Sequence, residues 1–181
     1  MVTYREANPL DYKKIAKLHV KSWQQHYRGD FSDHFLDVEA ASEREEVWKD
    51  RLTNPSPNQF VLVAEQNGET CGFACAFKDE NVQFGALLDN LHVSESAKGR
   101  GIGKNLISLV AQEVLRGNPT TKMYLWVLKN NKSAIGFYER LGGVNFETVV
   151  GNDIGDKEVL KCRMVWSSPQ LLIKDEGHVR M

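Results

Sequence analysis

The period of the apolar positions changes near residue 60. Before it, Ile15, Leu18, Trp23 and Tyr27 recur at helical spacing behind Asn8-Pro9, which reads as an N-cap with proline in the first turn. Gly29-Asp30 interrupts that helix. Residues 42–52 form a second, charged one with Val47, Trp48 and Leu52 apolar, closed by Asn54-Pro55-Ser56-Pro57. The first quarter of the chain is therefore expected to be helical. From Phe60 onward, residues 60–65 and 70–77 are β-rich runs joined through Asn67-Gly68, a strong hairpin signal. Residues 78–81 are expected to turn the chain and 83–93 to make a third strand.

A glycine-rich segment follows and opens a helix whose apolar residues Ile102, Leu106, Leu109, Val110 and Val114 share one face. Gly117-Asn118-Pro119 stops it. Residues 123–128 then read as a strand and 132–141 as a short helix ended by Gly142-Gly143. The final hairpin is expected over 144–150 and 157–166. Hairpins followed by strand-helix-strand-helix-strand predict an α/β, mixed sheet with helices on both faces. Ser167-Ser168-Pro169 marks the end of a domain spanning 1–166, leaving 167–181 as an extension without an assigned role.

Composition narrows the chemistry. At 181 residues the chain suits one domain, able to bury roughly two-thirds of its unfolded surface without staples. Lys+Arg 23 against Asp+Glu 24 leaves a formal charge of -1, which lacks the basic excess of a nucleic-acid or anionic-membrane binder. Any anion site must be local. Cys71, Cys75 and Cys162 are an odd set inside apolar runs, as expected of buried free thiols in a reducing compartment. No metal-ligand spacing, leader or membrane-spanning run is evident, so the expected location is cytoplasmic.

The segment Lys98-Gly99-Arg100-Gly101-Ile102-Gly103-Lys104 carries the clearest functional signal. A strand ending at Leu91-His92-Val93, a short polar loop and glycines entering a helix together aim unpaired amides at an anion, aided by the helix dipole. Lys98, Arg100 and Lys104 add local positive charge, and a diphosphate suits such a turn. The spacing does not fit a Walker A loop, because Gly99 and Gly103 enclose three residues and Asn105 follows Lys104. A dinucleotide fingerprint is also disfavoured: the position of its third glycine is Leu106, and the unit lies mid-chain.

These residues resemble motif A of the GCN5-related N-acetyltransferase (GNAT) superfamily, Gln/Arg-x-x-Gly-x-Gly/Ala after a strand. Lys98 keeps the first position's charge without its planar fork. A second stretch, Asn131-Lys132-Ser133-Ala134 followed by Phe137-Tyr138-Glu139-Arg140-Leu141-Gly142, resembles the family's Asn-x-x-Ala-x-x-Phe-Tyr-x-x-x-Gly segment. Gly143-Val144-Asn145-Phe146 reads as a small insertion where the family usually has Gly-Phe. The resemblance implies a GNAT-type acyl-CoA N-acyltransferase fold, with a central, mostly antiparallel mixed sheet of about six to seven strands flanked by helices. It implies acetyl-CoA as co-substrate and an amine acceptor, small molecule or peptide; a homodimer is common among relatives. The strand ending at Val93 is expected to splay from its neighbour at a bulge, admitting the pantetheine arm to backbone groups along Leu91, His92 and Val93. Amides of Gly99, Arg100, Gly101, Ile102, Gly103 and Lys104 would hold the diphosphate, and Asn131 the cofactor arm. Tyr138 would stand near the thioester sulfur. A binding module that keeps the acyl-CoA pocket without turnover is the alternative.

Attack on a thioester needs a neutral amine. An alkylammonium of pKa near 10.4 is almost wholly charged at pH 7, a penalty of roughly 4 to 5 kcal/mol. The departing thiolate gains from a proton donor, and Tyr138 is the candidate general acid. Many relatives carry a glutamate near the position of Leu87; here Asp89 is the favoured base, ahead of His92 on the same strand. Trp23, His26 and Tyr27 come from the region that covers the acceptor in the family, and Trp23 and Tyr27 are the expected acceptor contacts through cation-π attraction.

Overall fold

The computed structural model describes residues 1–152 and 154–173. Among the described residues there are seven strands, one more than the hydrophobic pattern indicates. The additional one, β1 (Val2–Glu6), corrects the helical reading of the first quarter. It pairs antiparallel with β2 (Gln59–Gln66) and turns Tyr4 inward, where its hydroxyl accepts from Asn105 at 2.8 Å. Five residues with two apolar positions cannot be recognised as a strand without their partner. Arg5 secures the pairing: it bonds both oxygens of Asp11 at 2.8 and 2.9 Å and both oxygens of Glu65 at 2.7 and 3.0 Å.

Asn8 caps a 3-10 turn, Pro9–Asp11, in a reciprocal capping box with Asp11 before α1 (Tyr12–His26) begins. A π-helical turn, Phe35–Glu39, runs directly into α2 (Ala40–Thr53). β3 (Glu69–Asn81) continues through the residues expected to turn, and β4 (Gly85–Val93) starts two residues later than anticipated. Asp79, with a positive φ of 49°, and an irregular register between Phe77 and Asn81 absorb the turn signal without ending the strand. The remaining elements are α3 (Ile102–Gly117), β5 (Met123–Leu128), α4 (Lys132–Arg140), β6 (Val144–Gly151) and β7 (Val159–Trp166). The expected insertion after Gly143 becomes a register shift between Asn145 and Glu147, with Phe146 the extra residue.

The sheet order is β1-β2-β3-β4-β5-β7-β6, antiparallel throughout except for β4 and β5. On one face, Ile102, Leu106, Leu109, Val110 and Val114 of α3 pack on Leu62, Ala74, Ala86, Leu125 and Met164. On the other, Ile15 and Leu18 of α1 and Trp48 and Leu52 of α2 cover Val61, Val63, Phe73 and Cys75. Strand alternation sends neighbouring residues to opposite cores, as a two-sided sheet requires. Beyond β7, the 3-10 turn Pro169–Leu172 packs back on α3, and Leu172 is 2% exposed in the main core. None of the described helices is long and apolar enough to cross a membrane.

Candidate active site

β4 and β5 lie parallel for only two paired positions, Ala86 with Met123 and Leu87 with Tyr124, and then separate. The departure coincides with a bulge in β4. Cys75 pairs with Asn90 while Ala76 pairs with Leu88, so Asp89 is the unpaired residue. Beyond it, the β4 edge facing β5 carries no strand partner, leaving backbone donors and acceptors along the wall of a cavity of about 470 Å³.

One end of this cavity is the glycine turn. Gly99 and Gly101 have φ of +74° and +78°, the left-handed region that side chains with a Cβ adopt only under strain. A Cβ at either would meet nothing within 4 Å, so the turn's outer surface is open. The first backbone bond into α3 is from the Asn105 amide to the Gly101 carbonyl, leaving the amides before it without acceptors in the helix. Lys98 Nζ lies 2.6 Å from Glu95 Oε2 and 2.8 Å from His26 Nε2. Burial first, then the Lys98 charge, holds the His26 imidazole below its usual range.

The other end is made of side chains. Tyr138 on α4 is 8% exposed, stacks edge-on against Phe137 and Trp166, and leaves its hydroxyl without a hydrogen bond to any described residue. Burial, and secondarily Tyr27, pushes its ionisation well above that of an ordinary tyrosine. Tyr27 is pushed up to about 12 by burial and by Asp30. His92 Nδ1 is 2.8 Å from Ser22 Oγ. Its ionisation is pushed down to about 3, chiefly by burial and then by His26, Arg44 and Lys98, so the ring is neutral at physiological pH. Asp89 Oδ2 accepts from Arg51 Nη1 at 2.7 Å; Oδ1 has no hydrogen bond to a described residue. Asp89 is the single carboxylate among the described residues of the wall.

Of the residues singled out in the sequence, Leu91, His92, Val93, Lys98, Gly99, Gly101, Ile102, Gly103, Lys104, Asn131, Tyr138, Asp89 and Tyr27 all border this cavity. Asn131 also caps α4, its Oδ1 accepting from the Ala134 amide at 3.2 Å. Two residues stand apart. Trp23 is 3% exposed among Tyr27, Phe31 and Phe35, behind the wall, and Arg100 reaches out to Gln66 Oε1 at 2.8 Å. Phe137, from the Phe-Tyr segment, borders the cavity too; Ser22 and Trp126 also border it and Arg51 stands behind Asp89, three residues that the sequence reading did not single out. Ser22 alone left a trace, one helical turn before His26.

Such a cavity, with open amides at one end and an uncommitted phenol and a carboxylate at the other, can hold an extended acyl carrier and move protons at its thioester. The model of the acetyltransferase (GNAT) family matches residues 19–143. The uncharacterized N-acetyltransferase YuaI of Bacillus subtilis is 31% identical over 154 residues, covering 81% of this chain and 86% of that protein. The 5-NmdU N-acetyltransferase of Pseudomonas phage PaMx11 is 30% identical over 156 residues, covering 86% and 93%. In fold, the chain is similar to the PaiA N-acetyltransferase of Thermoplasma acidophilum, solved in complex with coenzyme A: TM-score 0.68, 17% identity, 89% of this chain and 97% of that one. The chain belongs to the acetyltransferase (GNAT) family and is an acetyl-CoA-dependent acetyltransferase.

Proposed function

We propose that the protein transfers the acetyl group of acetyl-CoA to a primary amine by direct attack, with Tyr138 as general acid and Asp89 as the proton acceptor. The observation that carries this reading is the separation of β4 from β5 at the Asp89 bulge, in a cavity also lined by Tyr138 and the left-handed glycine turn. The unpaired β4 edge suits the amide groups of a pantetheine arm. The amides from Gly99 to Lys104 suit its diphosphate. Asn131 would orient the arm through the side-chain amide that helix capping leaves over.

Asp89 supports the first proton transfer. Arg51 orients one carboxylate oxygen and leaves Oδ1 for the ammonium, directly or through a water, so that the amine meets the thioester carbonyl neutral. The nitrogen then bonds to the acyl carbon and the carbon-sulfur bond breaks. The Tyr138 hydroxyl, kept protonated by burial, gives its proton to the departing sulfur and is reprotonated from the nitrogen of the product. Neither His92 nor His26 serves as a cationic acid, since both are held neutral.

The test has two parts. At 100 times Kd a ligand stabilises by about 2.7 kcal/mol, and at about 2 to 4 °C per kcal/mol acetyl-CoA should raise Tm by about 5 to 11 °C, whereas NAD and ATP should not. Release of free thiol must then depend on an added amine; binding without release would leave a non-catalytic acyl-CoA module. Asp89→Asn should lower kcat/KM about a hundredfold without weakening acetyl-CoA binding. An unchanged rate in that variant would remove Asp89 from the mechanism.

A further inference from the structure

Next to the cavity, on the sheet face that α1 and α2 leave uncovered, β7 presents an arginine in an unusual setting. Arg163 pairs across the strands with Trp126, a residue of the cavity wall. Its guanidinium carbon lies 4.0 Å over the Phe84 ring, 4.4 Å over Trp126 and 5.4 Å over Tyr124. Three aromatic faces therefore fix the plane of the guanidinium and remove much of its freedom. Glu147 Oε1 lies 2.8 Å from Nε as an ion pair, outside hydrogen-bond geometry. The two terminal nitrogens have no hydrogen bond to any described residue. The side chain is 16% exposed, and a planar fork set among rings, with terminal donors uncommitted among the described residues, is the geometry that receives a carboxylate or phosphate in bidentate fashion.

Charges of both signs surround Arg163, with Glu147 paired to it and Glu80 acting on the neighbouring Tyr124. Lys161, two residues earlier on the same strand face, places its ammonium 4.8 Å over the other part of the Trp126 surface. The nearest cavity carboxylate, Asp89, is already paired with Arg51 at 2.7 Å. Trp126, on the cavity wall, is thus in ring contact with both Lys161 and Arg163.

We propose that Arg163 reads an anionic group on the acceptor, so that the preferred substrate is an amine carrying a carboxylate or a phosphate. The amine nitrogen would lie at the Asp89 and Tyr138 end, with the anion one strand away over Trp126. This rests on the amine-transfer reading above and adds the substrate class to it.

The test is thiol release with acetyl-CoA and matched straight-chain amines of several lengths ending in methyl, carboxylate or phosphate monoester. At the best length, the anionic acceptor should show a kcat/KM about ten- to hundredfold above its methyl-ended partner, the range of a hydrogen bond to a charged group, expressed mainly in KM. The larger gain of the two anions identifies which is read. In Arg163→Gln that ratio should collapse, and in Arg163→Lys recover in part, while the KM for acetyl-CoA stays put. If wild-type enzyme treats all three series alike, or Arg163→Gln keeps the preference, the proposal is overturned. Should Arg163→Gln fail to fold, amine-free alkyl carboxylates and phosphates decide: they must compete with the methyl-ended amine in the wild type, and absence of competition overturns the proposal. Turnover of methyl-ended amines alone would leave the acetyltransferase reading intact while removing the anion. No thiol release with any amine, despite stabilisation by acetyl-CoA, would overturn both.

Discussion

The two ends of the cavity are built from different materials. The glycine turn is a backbone device: two left-handed glycines, a helix start and unpaired amides, all within seven consecutive residues. The end around Tyr138 is a side-chain device assembled from α1, β4, β5 and α4, with Arg51 of α2 behind it, and its lining residues are up to 116 positions apart between Ser22 and Tyr138. A backbone device is insensitive to most side-chain changes and is broken by a Cβ. Side-chain devices are broken by single atoms and tuned by burial.

Tyr138→Phe tests that contrast most severely. Its hydroxyl makes no hydrogen bond to a described residue, so removal should cost little stability but lower kcat about a hundredfold or more, with acetyl-CoA binding retained. Full kcat in this variant would mean that the sulfur leaves without Tyr138. Next in size is the pH response. His19, 1% exposed and accepting from Trp48 Nε1 at 3.0 Å, and His92 are both held neutral, with ionisation depressed chiefly by burial. The unfolded chain takes these protons near pH 6.5 and the folded one only far lower. Stability should therefore be undiminished above about pH 6.5 and fall below it, by at most about 1.4 kcal/mol per pH unit for each histidine. Urea unfolding at pH 7 and 5 checks this, and the fall should shrink in His92→Asn.

Gly101→Val should separate the two ends. The strain of a left-handed residue with a Cβ is about 1 to 2 kcal/mol. If it is relieved by rotating the turn, the KM for acetyl-CoA should rise about five- to thirtyfold; kcat at saturation should persist. A loss confined to kcat would place the diphosphate elsewhere. The smallest effects are expected from the aromatic pair on α1. Trp23→Phe should reduce stability by about 1 kcal/mol without changing the acceptor KM, because Trp23 packs behind the wall. Tyr27→Phe should do the reverse, and an exchange of these outcomes would redraw the acceptor side.

Much of this architecture is local in origin. β5 occupies the span that reads as a strand, a run apolar at every position, α3 buries the expected stripe, and the odd spacing after Gly143 emerges as a bulge at Phe146. These follow from periodicity, capping and glycine conformation, which act over a few residues. The errors have the opposite character. β1 is too short to declare itself and exists through β2 and the Arg5 clasp; β3 runs through its own turn signal because Asn58 bonds Lys78 and Asn81 regains its pairing with Gly85 of β4.

The same division applies to the site. The sequence by itself determined the sheet-and-helix order from β2 onward, the glycine turn and the Asn131 to Tyr138 segment, because each is a contiguous pattern whose physics is local. Only the tertiary structure decided that Asp89 stands on the bulge beneath Arg51, that Trp23 belongs to the core, and that Trp126 and Arg163 stack beside the cavity. Those facts depend on cross-strand register and on which face each helix buries, and register is a property of pairs of segments that no single segment encodes.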